Sequence, residues 1–464
     1  VTSLQFLGAA RTVTGSKHAL FVGKRTLLID CGLFQGPRDL KELNWKPFPL
    51  RPDQLDAILL THGHIDHIGY LPRLYKQGYR GPVFCTRATA DIARLSLPDS
   101  GRLQEEYADY ANRKGFSRHK PALPLYTEKE AIRACRLLEP VPFYENVSLP
   151  GKCTARFLIA GHILGAAFIH LYLPDGRSIL FGGDLGRYDV PILKDPDTVS
   201  YADYLLLEST YGNRSHAKDP PRERFCEEIR RVIETGGVLV IPAFAVGRTQ
   251  ELLYYFSQME RENSQEPLIP VYLDSPMSAA ATRIYSSYPQ LYDEETNEML
   301  RTSGSPLAPR ALHTVTDVSQ SKALNAIPGP AIILSSSGMA SGGRVVHHLF
   351  HRLPDERNTI LFVGYQAEGT LGRELVEGAS EVTILGQSVP VRARVASIQS
   401  LSAHADADGI LRWLSGFKQA PKRTFLVHGE PEAQDALNER IRSELGWRTT
   451  IPSLYDVASL DEEA

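Results

Sequence analysis

Disulfide chemistry is the first thing this sequence leaves little room for. Its five cysteines (Cys31, Cys85, Cys135, Cys153 and Cys226) are scattered, with no Cys-x-x-Cys pair among them. An odd, dispersed set reads as reduced, mostly buried thiols in a cytosolic protein. An excess of one charge is missing too: Lys plus Arg number 51 and Asp plus Glu 54, for a formal net charge of -3. That balance excludes nucleic-acid binding by bulk charge, although a local basic groove remains compatible with it. No apolar run approaches the roughly 18 residues needed to span a bilayer, so no membrane association is expected. Val1 to Gly8 lack a basic region followed by a long apolar stretch, so no secretory signal is visible and a cytoplasmic location is expected. Short-period repeats and low-complexity tracts are absent as well. What is there is an ordinary globular composition: 464 residues, 42% hydrophobic and 23% charged, enough for two or three domains with ample core.

The chain opens with short β-rich runs separated by turns. Leu4 to Leu7, His18 to Val22 and Thr26 to Asp30 read as strands. Ala57 to Thr61 (AILLT) is a continuous apolar run of strand length, which predicts burial on both faces. Val83 to Thr86 is another strand, and a helix is predicted from about Ala88 to Lys114. Thr127 with Glu130 three residues on forms a capping box that opens a helix to about Leu138. Strands return at Thr154 to Ala160, Ala167 to Leu173, Ser178 to Phe181 and Tyr204 to Glu208, with Pro174-Asp175-Gly176 as a hairpin turn.

Beyond Glu208 the rhythm changes. Asp219-Pro220-Pro221 starts a charged helix, and strands near Val238 to Ile241, Val271 to Leu273, Ile332 to Leu334 and Thr359 to Val363 alternate with helices. That order predicts a parallel, doubly wound sheet, hence a separate α/β domain. After about Leu385 come two strands, a helix near Asp408 to Leu414, a strand at Thr424 to Val427 and a final helix.

The strongest chemical signal is Thr61-His62-Gly63-His64-Ile65-Asp66-His67, placed directly after the buried strand. An extended loop sends His62 and His64 to the same side, and a turn into the next helix can present Asp66 and His67 beside them. Imidazole and carboxylate are ligands that zinc prefers, and one tetrahedral ion cannot use all four plus a water. Two neighbouring metals follow.

This motif resembles the HxHxDH signature of the metallo-β-lactamase superfamily, and further motifs of that superfamily occur in order. Asp30 ends an early strand, His162 lies in Ala160-Gly161-His162-Ile163-Leu164-Gly165-Ala166, and Asp184 ends Phe181-Gly182-Gly183-Asp184. The resemblance implies an αββα sandwich with metals at the strand ends. It assigns His62, His64 and His162 to one zinc, Asp66 and His67 to the other, and Asp184 to a bridge. Asp30 would sit just behind, orienting a ligand through a hydrogen bond.

The α/β segment after Glu208 resembles the β-CASP domain of nucleic-acid-processing hydrolases. Three further motifs carry that likeness: Leu207-Glu208-Ser209-Thr210-Tyr211-Gly212, Ser402-Ala403-His404-Ala405-Asp406 and Val427-His428-Gly429-Glu430. The family's RNA-directed members resemble this chain in having histidine at the last of these, where the DNA-directed branch usually has valine. His428 would complete the second zinc shell. The likeness extends to the cleavage subunit of the pre-mRNA 3′-end machinery and its bacterial and archaeal relatives. It implies a metallo-β-lactamase domain over 1–208 and 386–464, interrupted by a β-CASP domain over 209–385 with a parallel sheet. The additional C-terminal domain of ribonuclease J relatives is not expected, nor is an RNA-binding domain ahead of the catalytic fold.

The implied activity is hydrolysis of RNA phosphodiesters by a hydroxide held between two zinc ions, which also neutralise a phosphate oxygen. Asp66, Asp30, Glu208 and His404 form the expected catalytic set. His404 would act as general acid, with Glu208 raising its pKa and fixing its ring. The expected substrate is single-stranded RNA cut internally, with 5′-to-3′ trimming by the same centre as a variant, and a homodimer is left open.

Two loops suit substrate handling. Ser335 to Arg344 (SSSGMASGGR) joins a strand to a helix, so Ser336, Ser337, Gly338, Ser341 and Gly343 could cradle a phosphate through backbone N–H groups. Pro242 to Arg248 makes a similar joint, where glycine is also needed for backbone reasons alone. Arg248, Arg344 and Arg373 are candidate clamps on the RNA backbone or else solvated arginines. His347, His348 and His351 read as a helix surface or an RNA-facing face rather than a metal trio.

Competing readings keep the two metals but take DNA or a small ester or thioester, or describe a catalytically silent RNA-binding subunit. His428 and the inserted domain argue against the first, and the full ligand set against the second. A flavodiiron oxidoreductase would carry an acidic residue where His64 stands.

Overall fold

The computed structural model describes residues 2–115, 117, 119–216, 221–262, 269–364, 366–367 and 369–461. The chain divides into two compact units, one comprising 1–189, 194–215 and 404–464, the other 190–193 and 216–403.

The first unit contains two seven-stranded sheets. One runs in the order Val457–Ser459, Thr2–Phe6, His18–Val22, Arg25–Ile29, Ala57–Leu59, Val83–Thr86, Leu138–Val141. The other runs Thr449–Thr450, Arg423–Val427, Tyr204–Glu208, Ser178–Phe181, Ala167–Tyr172, Cys153–Ile159, Asn146–Leu149. Alternate residues of the first sheet (Leu4, Phe6, Leu20, Leu27, Leu59) mesh with Phe157, Ile169, Phe181, Leu206 and Phe425 of the second. Ile58, Val83 and Cys85 turn the opposite way, onto Leu71, Ala90, Ala93 and Leu97 of helices Leu71–Lys76 and Arg87–Lys114. On the far side of the second sheet Phe168 meets Trp413 of helix Ala407–Leu414, with ring centroids 4.9 Å apart. These four layers make the αββα sandwich. The AILLT run is buried on both faces, as its lack of alternation predicts.

Two boundaries differ from the sequence pattern for identifiable reasons. The strand from Ala57 stops at Leu59 because Thr61 donates its N–H to the Asp30 carboxylate (2.8 Å) instead of a ladder carbonyl. The helix capped by Thr127 ends at Ala134, and Leu138–Val141 joins the first sheet in parallel with Val83–Thr86. Pro140 is tolerated there because that strand lies at the sheet edge.

The second unit is built on six parallel strands in the order Leu312–Thr314, Val271–Asp274, Ala331–Ser335, Val238–Pro242, Thr359–Val363, Arg394–Ile398. Its central strands are buried throughout, with Leu239 and Ile241 facing one helical layer and Val238 and Val240 the other. This is the expected doubly wound α/β domain. Arg394–Ile398 pairs with Thr359–Val363 and carries the unit on to Ala403. The charged helix is Pro221–Thr235, while Asp219 and Pro220, expected at its start, lie outside the described residues. No helix among the described residues is long and apolar enough to cross a membrane.

Candidate metal centre and active site

The ligand-type residues of the first unit meet at strand ends. His64 caps the short helix Ile65–Ile68, which turns Asp66 and His67 back towards His62. Thr86, at the start of helix Arg87–Lys114, donates its hydroxyl to Gly165 O (2.7 Å) and so pins the loop that carries His162. Two close backbone approaches lock the loops together. A Cβ on Gly32 would lie 1.6 Å from Asp66 O, and one on Gly186 would lie 2.1 Å from the Gly161 carbonyl carbon. Only glycine fits either place.

Two donor sets result. In one, His62 Nε2 lies 3.1 Å and His162 Nε2 3.2 Å from His64 Nδ1, with Asp184 Oδ2 at 3.3 Å from His62 and 3.4 Å from His162. In the other, His67 Nε2 lies 3.2 Å from His428 Nε2, Asp66 Oδ2 is 3.4 Å from His428, and Asp184 Oδ1 is 3.2 Å from His67. Asp184 thus gives one oxygen to each set.

The donor chemistry fits metal ions. Buried polar atoms are nearly always hydrogen-bonded, yet here ring nitrogens face ring nitrogens, and Asp184 Oδ1 accepts no hydrogen bond from the described residues. Burial, then His62, pushes the pKa of His64 down to about 3. Burial, then His404, holds His162 well below the ordinary histidine value. Both are therefore neutral, the form that binds a metal. Burial opposes charge on His67, but the carboxylates of Asp184 and Asp30 outweigh it and raise its pKa well above normal. The field at that nitrogen calls for a cation, whether proton or metal.

Behind these atoms, Asp30 Oδ2 accepts from His67 Nδ1 (2.7 Å) and Oδ1 from Thr61 N (2.8 Å). Nδ1 of His67 is thereby the protonated nitrogen, which leaves Nε2 for the donor set. Thr61 Oγ1 also lies 3.1 Å from His62 Nδ1. Asp30 and His428 both have left-handed backbone (φ 59 and 50), a conformation that non-glycine residues adopt mainly where the surroundings enforce it.

Glu208, fully buried, accepts from His404 Nδ1 at 2.9 Å and from Leu185 N at 2.5 Å. Leu185 O in turn accepts from Ala405 N (2.8 Å), so one residue ties the carboxylate and the histidine loop together. Burial disfavours charge on His404, but Glu208 and then Asp184 prevail, and its pKa is pushed up to about 9. The His404 side chain keeps 20% exposure, unlike the buried Glu208.

The residues predicted to hold RNA lie in the second unit. Ser336 Oγ bonds Ser275 Oγ (2.8 Å), Ser337 Oγ accepts from Ser341 N (3.0 Å), and Gly338 O accepts from Gln366 (3.2 Å). Gly343 has φ 79, and a Cβ there would lie 2.8 Å from Ser336 O. Arg344 donates to Asp274 Oδ1 (2.7 Å), Thr316 O (2.9 Å) and Val315 O (3.3 Å). Arg248 is buried and paired with Glu251, and Arg373 pairs with Glu377 (2.6 Å). His347 and His351 are exposed, but His348 is not on a surface as expected. It is wholly buried, with Nε2 2.6 Å from Asp274 Oδ2 and Nδ1 2.8 Å from Asn325 Oδ1. Thr61 and Thr210, whose hydroxyls touch the site, are not among the residues that the motifs single out. Their place inside the motifs was the one signal available.

Three protein-family models match the chain: a beta-lactamase superfamily domain over residues 25–219, a Beta-Casp domain over 249–375, and a Zn-dependent metallo-hydrolase RNA specificity domain over 388–452. The chain belongs to the β-CASP family of RNA nucleases within the metallo-β-lactamase superfamily, and it is a hydrolase. Ribonuclease TTHA0252 of Thermus thermophilus is 40% identical over 438 residues, 93% of this chain and 94% of that protein. Transcription termination factor FttA of Methanocaldococcus jannaschii is 32% identical, over 98% of this chain and 71% of its own length. An RNase J-like protein of the same organism is 31% identical over 92% of each chain. In fold, the chain resembles a protein of unknown function from Enterococcus faecalis V583, with a TM-score of 0.54, 12% identity, and coverage of 99% of this chain and 100% of that one.

Proposed function

We propose that the protein is a dizinc ribonuclease that cuts single-stranded RNA internally. The observation that carries this reading is Asp184, whose two oxygens are divided between two sets of nitrogen and oxygen donors while the Glu208–His404 pair stands alongside. His62, His64 and His162 would hold one zinc, Asp66, His67 and His428 the other, with Asp184 shared. The chemistry that two zinc ions supply when bound is a water acidified to near neutrality and a neutralised phosphate oxygen. The chain's own residues do the rest. His404 carries a proton at neutral pH and passes it to the departing ribose oxygen, while Glu208 fixes the ring. General acid catalysis of this kind is worth roughly a hundredfold to ten-thousandfold. Asp30 holds the tautomer of His67. The loop over Ser336 to Gly343 would receive a backbone phosphate through its N–H groups. RNA as substrate is supported by the matched RNA specificity domain and by the ribonuclease relative. Five cysteines without a disulfide suit a reducing, cytoplasmic setting.

The test is incubation of the purified protein with end-labelled and internally labelled RNA, with and without a chelator, beside His404→Ala. Metal-dependent internal cutting that nearly disappears in the variant is expected. Undiminished cutting by the chelated protein or by the variant would overturn the mechanism. Products released only from the 5′ end would replace internal cutting by trimming, and a strong preference for duplex DNA would overturn the substrate.

A further inference from the structure

Thr210 lies in the turn after strand Tyr204–Glu208, which pairs in parallel with Arg423–Val427. Its hydroxyl oxygen is 2.5 Å from Glu208 Oε2 and 3.1 Å from His428 Nδ1, a residue 218 positions away in sequence. A hydroxyl has one hydrogen to give and lone pairs to receive with. The carboxylate can only accept, and it is the nearer partner, so the hydrogen goes to Glu208. The oxygen then receives a hydrogen from His428, which requires that Nδ1 of His428 be the protonated nitrogen. Nε2, which lies 3.2 Å from His67 Nε2 and 3.4 Å from Asp66 Oδ2, is then the nitrogen whose lone pair a metal would take. The turn is braced for this task, since Ser209 N donates to His428 O (3.1 Å) and Ser209 Oγ to Val427 O (2.7 Å).

We propose that Thr210 is a positioning residue that serves both halves of the site through one hydroxyl. It fixes the tautomer of His428, so that Nε2 can bind metal, and steadies the carboxylate that orients His404. The chain of contacts runs His428 Nδ1–H to Thr210 Oγ1, Thr210 O–H to Glu208 Oε2, and His404 Nδ1–H to the same carboxylate oxygen. This inference rests on the reading of His428 as a ligand and His404 as the acid. His67 receives the equivalent service from Asp30, and a neutral hydroxyl does it at His428 without adding charge to the second donor set.

The experiment compares wild type, Thr210→Val, which keeps the shape and loses the hydroxyl, and Thr210→Ser, which restores it. Nitrogen-15 spectra of histidine-labelled, metal-free protein read the tautomer directly. His428 should be protonated on Nδ1 in wild type and Thr210→Ser, and should lose that preference in Thr210→Val. Zinc affinity, read by chelator competition, should fall about 10–100-fold in the valine variant, as for other lost supports behind a ligand. kcat should drop with KM little changed, and serine should restore both. Wild-type His428 protonated on Nε2 alone, or a valine variant with unchanged zinc affinity and kcat, would overturn the proposal. If the wild type neither bound zinc nor cut RNA, the functional reading would fall while the metal-free tautomer would still decide the role of Thr210.

Discussion

Each unit contains a buried cluster of histidine and aspartate, and the two are built to opposite ends. Around Asp274 in the second unit every polar atom meets its complement. Oδ2 accepts from Ser321 and faces His348 Nε2, both at 2.6 Å, Oδ1 accepts from Arg344 at 2.7 Å, and the other ring nitrogen of His348 meets Asn325. Around Asp184 in the first unit, nitrogen faces nitrogen at 3.1–3.2 Å and one carboxylate oxygen accepts no hydrogen bond from the described residues. Residue types do not separate the two; completion does. A closed cluster holds a fold together, whereas an open one is arranged for something that arrives later.

The sharpest way to break this contrast is Asp184→Asn, which removes the charge shared by the two donor sets. Zinc content measured by plasma mass spectrometry should fall below two per chain, and RNA cutting should drop below detection. Retention of two zinc ions by that variant would erase the distinction between the clusters. Asp274→Asn should do the reverse. Breaking a buried ionic network costs about 3–5 kcal/mol, and because Arg344 keeps 23% exposure the low end applies. Denaturant melts should show the loss while zinc content stays at the wild-type level. Asp30→Asn, which weakens the hold on His67, should lower zinc affinity by about 10–100-fold without loss of folding. The smallest effect, read in RNA binding, belongs to Arg344→Gln, which removes the charge. Because the guanidinium is spent on Asp274 and two carbonyls, the salt dependence of RNA binding should keep its slope. A lost phosphate contact would reduce that slope by about one, and such a reduction would restore Arg344 as a direct clamp.

Much of the first unit was legible in the sequence because its signals are local. The AILLT run announced a doubly buried strand, and His62 to His67 announced ligand-type side chains gathered on one loop. His162, Asp184, Glu208, His404 and His428 became legible through the order of motifs, which stands in for contacts that spacing cannot supply. What escaped was fixed by distant partners. Thr210 looks like any turn threonine until His428 returns beside it, and nothing in the Arg344–Arg352 helix separates His348 from its exposed neighbours until Asp274 is placed. Leu138–Val141 was hidden for another reason, since a proline and the end of a capped helix mask a strand that only its neighbour in the sheet defines.

Because Arg423–Val427 is stitched beside Tyr204–Glu208, the site is closed only when a strand more than two hundred positions further along the chain has been made. A nascent polypeptide exposes its histidine-rich loop first, and it lacks His404, 196 positions beyond Glu208, until that much more chain has been translated.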